Sequence, residues 1–169
     1  MLFRSRIDIP VLYVSHSSEE VARLANNLVL LADGRVSDHG PIQEVLGAVN
    51  GELSRSDTAF SVIEGEISPH VLPGLISVDC GSGIVLQVPD SPLPSGERYP
   101  TGSSVRLRIR ARDVSLCLEQ PRQSSILNIL PAVVTELAAA PFNGSRVIKL
   151  DIAGKQLLSR ISEYSAQQL

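Results

Sequence analysis

Phe60-Ser61-Val62-Ile63-Glu64-Gly65-Glu66-Ile67 is the stretch whose reading decides the fold class. It is rich in β-branched residues, alternates in polarity towards its end, and opens a series of short runs separated by Gly, Pro and Ser clusters. Leu75 to Val78, Ile84 to Val88, Val105 to Ile109 and Val114 to Leu118 complete five candidate strands. Leu130 to Leu137, Arg146 to Ile152 and Gln156 to Ile161 form a second series. Ser162 reads as the N-cap of a helix that runs to Leu169.

Upstream of Ala59 the pattern changes. Val11 to Val14 is a continuously apolar run of the kind found in a parallel strand buried on both faces. Ser17 then opens a helix, with Glu20 three residues on completing a capping box and Val21, Leu24, Ala25 and Leu28 forming its apolar face. Leu28 to Leu31 reads as a strand, Asp33-Gly34 as a tight turn into Val36, and Pro41 as the start of a short helix ending near Leu46. Fewer than fifty residues supply too few neighbours for a doubly covered sheet. Residues 47–58 are small and polar and read as a linker.

Composition bounds the function classes. The 169 residues are 43% hydrophobic and 20% charged, enough for one medium domain or two small ones. A net charge of -3, spread along the chain, gives no electrostatic case for a dedicated nucleic-acid binder. No apolar run reaches the length needed to span a bilayer and no signal peptide is recognisable, so no direct membrane insertion is expected. Cys80 and Cys117 make neither a metal pair nor a disulfide framework, which fits a reducing compartment. His39 and His70 have no partner at metal-ligand spacing, and no metal site is expected. One local concentration of charge stands out: Arg106, Arg108, Arg110 and Arg112, spaced by two, share one face if the segment is a strand.

The motifs of residues 11–45 point to a family. Val-Ser-His-Ser-Ser-Glu-Glu-Val, Ala-Asp-Gly-Arg-Val and Gly-Pro-Ile-Gln-Glu-Val resemble the end of the nucleotide-binding domain of ABC transporter ATPases. By that resemblance His16 matches the switch histidine, which in the family contacts the terminal phosphate and the attacking water. The phosphate-cradling G-x-x-x-x-G-K-[ST] loop, the signature loop and the Walker B acidic segment are not in the chain. Without them His16 has nothing to act on, so no ATPase activity is expected of the chain alone, and ATP and magnesium belong to the full-length parent.

The remainder narrows the resemblance. Arg108 to Leu116, Ser124 to Pro131 and Gly154 to Ser162 resemble the C-terminal regulatory region of the ATP-binding subunit of molybdate ABC importers, which is built from Mop/TOBE-type lobes. The implied fold is mainly β: two small OB-like β-barrel lobes over 59–121 and 122–169, preceded by an incomplete α/β remnant of the ATPase domain over 1–46. The second lobe is expected to be C-terminally truncated. Its bare edge then needs strand exchange, a dimer partner or further sequence. The resemblance further implies a homodimer, a membrane permease subunit as partner of the parent, and a cytoplasmic location peripheral to the inner membrane.

Molybdate or tungstate is the implied ligand. A tetrahedral dianion offers acceptors only, so its site needs converging N–H and O–H donors and positive charge. Carried over by matching positions, Ser124, Ser125 and Asn128 come from one lobe, and Arg110, Ala111 through its backbone, and Arg112 from another. Charge-assisted bonds are the stronger ones, which makes Arg110 the largest contributor. Leu127 departs from the family pattern, which commonly has arginine there, and removes one cation. Beside this stand plainer readings: the arginines as a solvated strand face, Ser124 and Ser125 as turn residues, and Lys155 as an ordinary hairpin lysine. Two further functions compete, a ligand-free dimerisation module and a single-strand nucleic-acid binder. Three Phe, three Tyr and no Trp argue against the second.

Overall fold

The computed structural model describes residues 10–56, 58–91 and 96–169, with the side chains of His70 and Val71 also outside the description. The fold is mainly β, with three open antiparallel sheets. The smallest is the hairpin β1 (Asn27–Ala32) and β2 (Arg35–Pro41). Its turn places Asp33 and Gly34 at φ 49° and 73°, the left-handed pair a two-residue hairpin loop requires. Helix α1 (Ser18–Leu24) precedes it and α2 (Ile42–Gly47) follows.

The second sheet runs β5-β4-β3-β6, built from β3 (Phe60–Leu72), β4 (Leu75–Asp79), β5 (Val85–Pro89) and β6 (Ser104–Arg110). β3 is shared: residues 60–66 pair with β6, and residues 66–72 pair with β4. The crossover falls at Gly65, where a side-chain carbon would lie 2.7 Å from the Asp79 carbonyl oxygen and from Val78 Cγ1. The third sheet is the meander β7 (Val133–Leu137), β8 (Ser145–Ile152) and β9 (Lys155–Ser162), closed by helix α4 (Glu163–Gln168). Ser162 caps α4 by accepting from the Ser165 amide at 2.9 Å, and Arg146 grips Glu163 through two bonds of 2.7 and 2.8 Å.

The main core draws on both larger sheets, with Ile63, Ile67, Val78 and Leu86 meeting Ile148, Leu150, Ile152 and Leu157. A second cluster joins Val49, Ala59, Ala111, Ala138, Val147 and Leu158. Residues 47–58, read as a linker, carry the one-turn helix α3 (Glu52–Arg55), and Val49 is buried. Ser54 anchors that turn by donating to the carbonyls of Val49 and Gly51 at 2.7 and 2.8 Å.

The remnant before Ala59 docks onto the outer face of β3 and β6. Ala22, Leu28, Ile42, Val45 and Leu46 pack on Phe60 and Val62, so β3 is covered on both faces.

Two expected strands are not formed. Val11 to Val14 is unpaired and 56–91% exposed: among the described residues no strand lies beside it to complete a ladder. Val114 to Leu118 lies over the core through Val114 and Leu116. There the Val114 carbonyl is taken by the Ser159 hydroxyl at 2.6 Å rather than by a strand. The capping box is half made: Ser17 Oγ accepts from the Glu20 amide at 3.4 Å, while the Glu20 carboxylate accepts from the hydroxyls of Ser15 and Tyr13.

Candidate oxyanion site

The register of β3 and β6 sets the fate of the arginine stripe. Arg106, Arg108 and Arg110 pair with Glu64, Val62 and Phe60, which places them on the face that the N-terminal remnant covers. Arg106 donates to the Ala25 carbonyl (2.7 Å), to Asn26 Oδ1 (2.7 Å) and to Glu64 Oε1 (2.9 Å). Arg108 stacks over the Phe60 ring, 4.9 Å from its centroid, and donates to Ser18 Oγ at 3.2 Å. Neither is a solvated strand residue, and both are committed to holding the remnant.

Arg110 and Arg112 differ. Both are exposed, Arg110 at the end of β6 and Arg112 inside the 3-10 turn Ala111–Asp113 that follows it. Among the described residues the Arg110 side chain makes no hydrogen bond or ion pair, and the Arg112 side chain has one loose contact of 3.8 Å with Asp113. Ala111 is fully buried, and its amide donates to the Ala59 carbonyl at 2.9 Å, so that N–H is already committed.

Ser124 and Ser125 are exposed on the segment leading to β7. Ser124 Oγ accepts from the Ile126 amide at 3.0 Å, a local turn bond that leaves its own proton to donate. Asn128 is occupied otherwise. Its side-chain oxygen accepts from the Gln87 amide at 2.8 Å and its nitrogen donates to the Gln87 carbonyl at 2.9 Å. In this way the Asn128 amide stands in for a paired strand along the edge strand β5. Nothing in the residue pattern signalled this.

Among the described residues no hydrogen bond or ion pair joins the two halves within one chain. Ser124 to Asn128 attach to β5 and Arg110 to Arg112 continue β6, the opposite edges of the four-stranded sheet. An open cleft of about 330 Å³ lies elsewhere, between α2, β3 and the β8–β9 turn, lined by Glu44, Ser61, Glu64, Lys155 and Gln156 among others and by none of the six expected site residues.

His16 is exposed, one residue ahead of the α1 cap. Its neighbour Glu20 is held below the ordinary carboxylate range, chiefly by the Ser15 hydroxyl and then by Tyr13. Among the described residues no group of three or more His, Cys, Asp or Glu is placed to hold a metal ion, and no helix is long and apolar enough to cross a membrane.

No family model matches the chain. Individual relatives do. The chain is 46% identical over 165 residues to the molybdenum import ATP-binding protein ModC of Pseudomonas aeruginosa, which covers 96% of the chain and 44% of that relative. The corresponding protein of Aromatoleum aromaticum is 43% identical over 165 residues (98% and 42%), and that of Pseudomonas fluorescens 42% over 166 residues (96% and 44%). The chain is homologous to the C-terminal part of molybdenum import ATP-binding proteins. It spans less than half the length of these curated relatives. The similarity runs through nearly the whole chain, so the segment before Ala59 and the sheets after it belong to one homologous region.

Proposed function

We propose that this chain is the regulatory and dimerising tail of a molybdate importer's ATP-binding subunit, and that it binds molybdate or tungstate where lobes of two chains meet. Ser124 and Ser125 of one chain and Arg110 and Arg112 of another supply the donors. The observation that carries this reading is the pair of arginines: two of the four stripe arginines are committed to the fold, while Arg110 and Arg112 stand exposed beside a fixed turn. The placement of the two halves at opposite edges of one sheet favours a site shared between chains. Asn128 acts as a positioning residue that fixes the serine segment to β5. A permease subunit is the partner of the parent, on the cytoplasmic side of the membrane.

A second reading, a dimerisation module without ligand, is favoured by Leu127. This side chain is 63% exposed beside Ile126, an apolar surface where the family pattern supplies a cation. Isothermal titration of the full chain with molybdate, tungstate and sulfate separates the two. Saturable heat with molybdate or tungstate, lost in R110M, supports the oxyanion site. Dimerisation by sedimentation with no heat from any of the three ions leaves the ligand-free module.

A further inference from the structure

β6 has two ends with different occupations. Arg106 and Arg108 reach out of its outer face to the segment that follows His16: Ser18 at the start of α1, and Ala25 and Asn26 just past its end. Arg110, Ala111 and Arg112 continue the same strand into the proposed oxyanion segment. Between the two ends the backbone is paired to β3 at every residue from Ser104 to Arg110, and the Ala111 amide extends the pairing to Ala59. Continuous pairing thus joins the two ends over the roughly 17 Å from Arg106 to Ala111.

We infer that β6 is a coupling strut, and that Arg106 and Arg108 are positioning residues tying the arrangement of the His16–Asn26 segment to that of the Arg110–Val114 turn. The Arg108 guanidinium is poised for this: its Nε is buried with no hydrogen-bond partner among the described residues, and its remaining anchors are the Phe60 ring and a 3.2 Å bond to Ser18. Arg108 thus holds α1 through a single hydrogen bond, fewer than Arg106 makes to the end of that segment. Arg106, with three acceptors of 2.7 to 2.9 Å, is the firm anchor and Arg108 the adjustable one. The linkage exists with or without ligand. Its use in regulation rests on the oxyanion reading above.

Coupling between two places is reciprocal, so it is tested from the far end. Amide hydrogen exchange is followed on the full chain for the variants S18A and N26A, both at exposed or half-exposed positions, and for R108M with R108K as the conservative partner. The expected result is exchange at Ala111 and Val114 raised about five-fold or more, with β8 amides unchanged and R108K recovering part of the protection. Loosening confined to residues 17–26, with the 110–114 amides within about two-fold of the parent, overturns the inference. Loss of protection throughout β8 in R108M marks unfolding, and S18A and N26A then decide alone. Absence of molybdate heat in calorimetry removes the signalling use and leaves the strut standing.

Discussion

Replacing Leu158 by alanine tests whether the two lobes fold as one unit. Leu158 is 1% exposed on β9 and shares a buried cluster with Val49, Ala59, Ala111, Ala138 and Val147, which joins the segment read as a linker and the residues flanking β3 and β6 to the third sheet. Its amide also donates to the buried Ser61 hydroxyl at 2.9 Å, a bond across the sheets that the substitution leaves in place. Leucine-to-alanine changes in cores cost roughly 2–5 kcal/mol, more where the site cannot collapse. Three of the five neighbours are alanines with no side-chain reach to close the void, which puts the expected loss in the upper part, about 3–4 kcal/mol. Against a domain stability of about 5–15 kcal/mol that is a large fraction, and it lowers Tm by about 10 °C. Urea unfolding followed by far-UV circular dichroism and by tyrosine fluorescence is expected to show one coincident transition, shifted in midpoint with an unchanged slope. A loss below about 1 kcal/mol, or two separated transitions with only one of them shifted, would refute the shared core.

Gly65→Ala forces a carbon against the Asp79 carbonyl and Val78 at the β3 crossover, and is expected to cost about 1–3 kcal/mol in urea; an unmoved midpoint contradicts the close packing. Glu20 has a folded pKa below its unfolded one, so its hold on Ser15 and Tyr13 is present above the ordinary carboxylate range and lost as pH falls through the depressed value. Carboxyl NMR titration is expected to show that depression, and S15A to move the value upward; no movement rejects the hydroxyl as its cause. Burial raises the Cys80 thiol pKa, while Cys117 is exposed. At pH 8 one of the two cysteines is expected to react promptly with a disulfide reagent and the other only in denaturant, and two fast equivalents would contradict the buried position.

What the sequence revealed was local in origin. The Asp33-Gly34 hairpin, the Ser17 and Ser162 caps, the Pro41 helix start and the alternating runs of β3, β4 and β8 to β9 fall within a residue or a few of their expected places, since turn chemistry and period are carried by neighbouring residues. What was missed depends on distant partners. Among the described residues Val11 to Val14 has strand composition but no strand beside it, and in Val114 to Leu118 the Val114 carbonyl accepts from the hydroxyl of Ser159, 45 residues away. The arginine stripe shared a face as its spacing required, yet only the docking of α1 and Asn26 decided that Arg106 and Arg108 are structural. Asn128 was expected among the ligand donors, and its amide pairs with a strand 41 residues upstream, a match invisible to any local pattern.

The outer edge of β7, unpaired among the described residues, bears on how this chain behaves as a colloid. All five of its residues are exposed, with Val133, Val134 and Leu137 presenting apolar surface next to Phe142. A net charge of -3 is a weak long-range repulsion, and it vanishes near pH 5.6. In mildly acidic, salty solution, short-range strand pairing along β7 therefore meets little electrostatic resistance. Added Lys or Glu at Val133 or Val134 would act as a gatekeeper, raising the concentration at which the protein stays dispersed without touching the core.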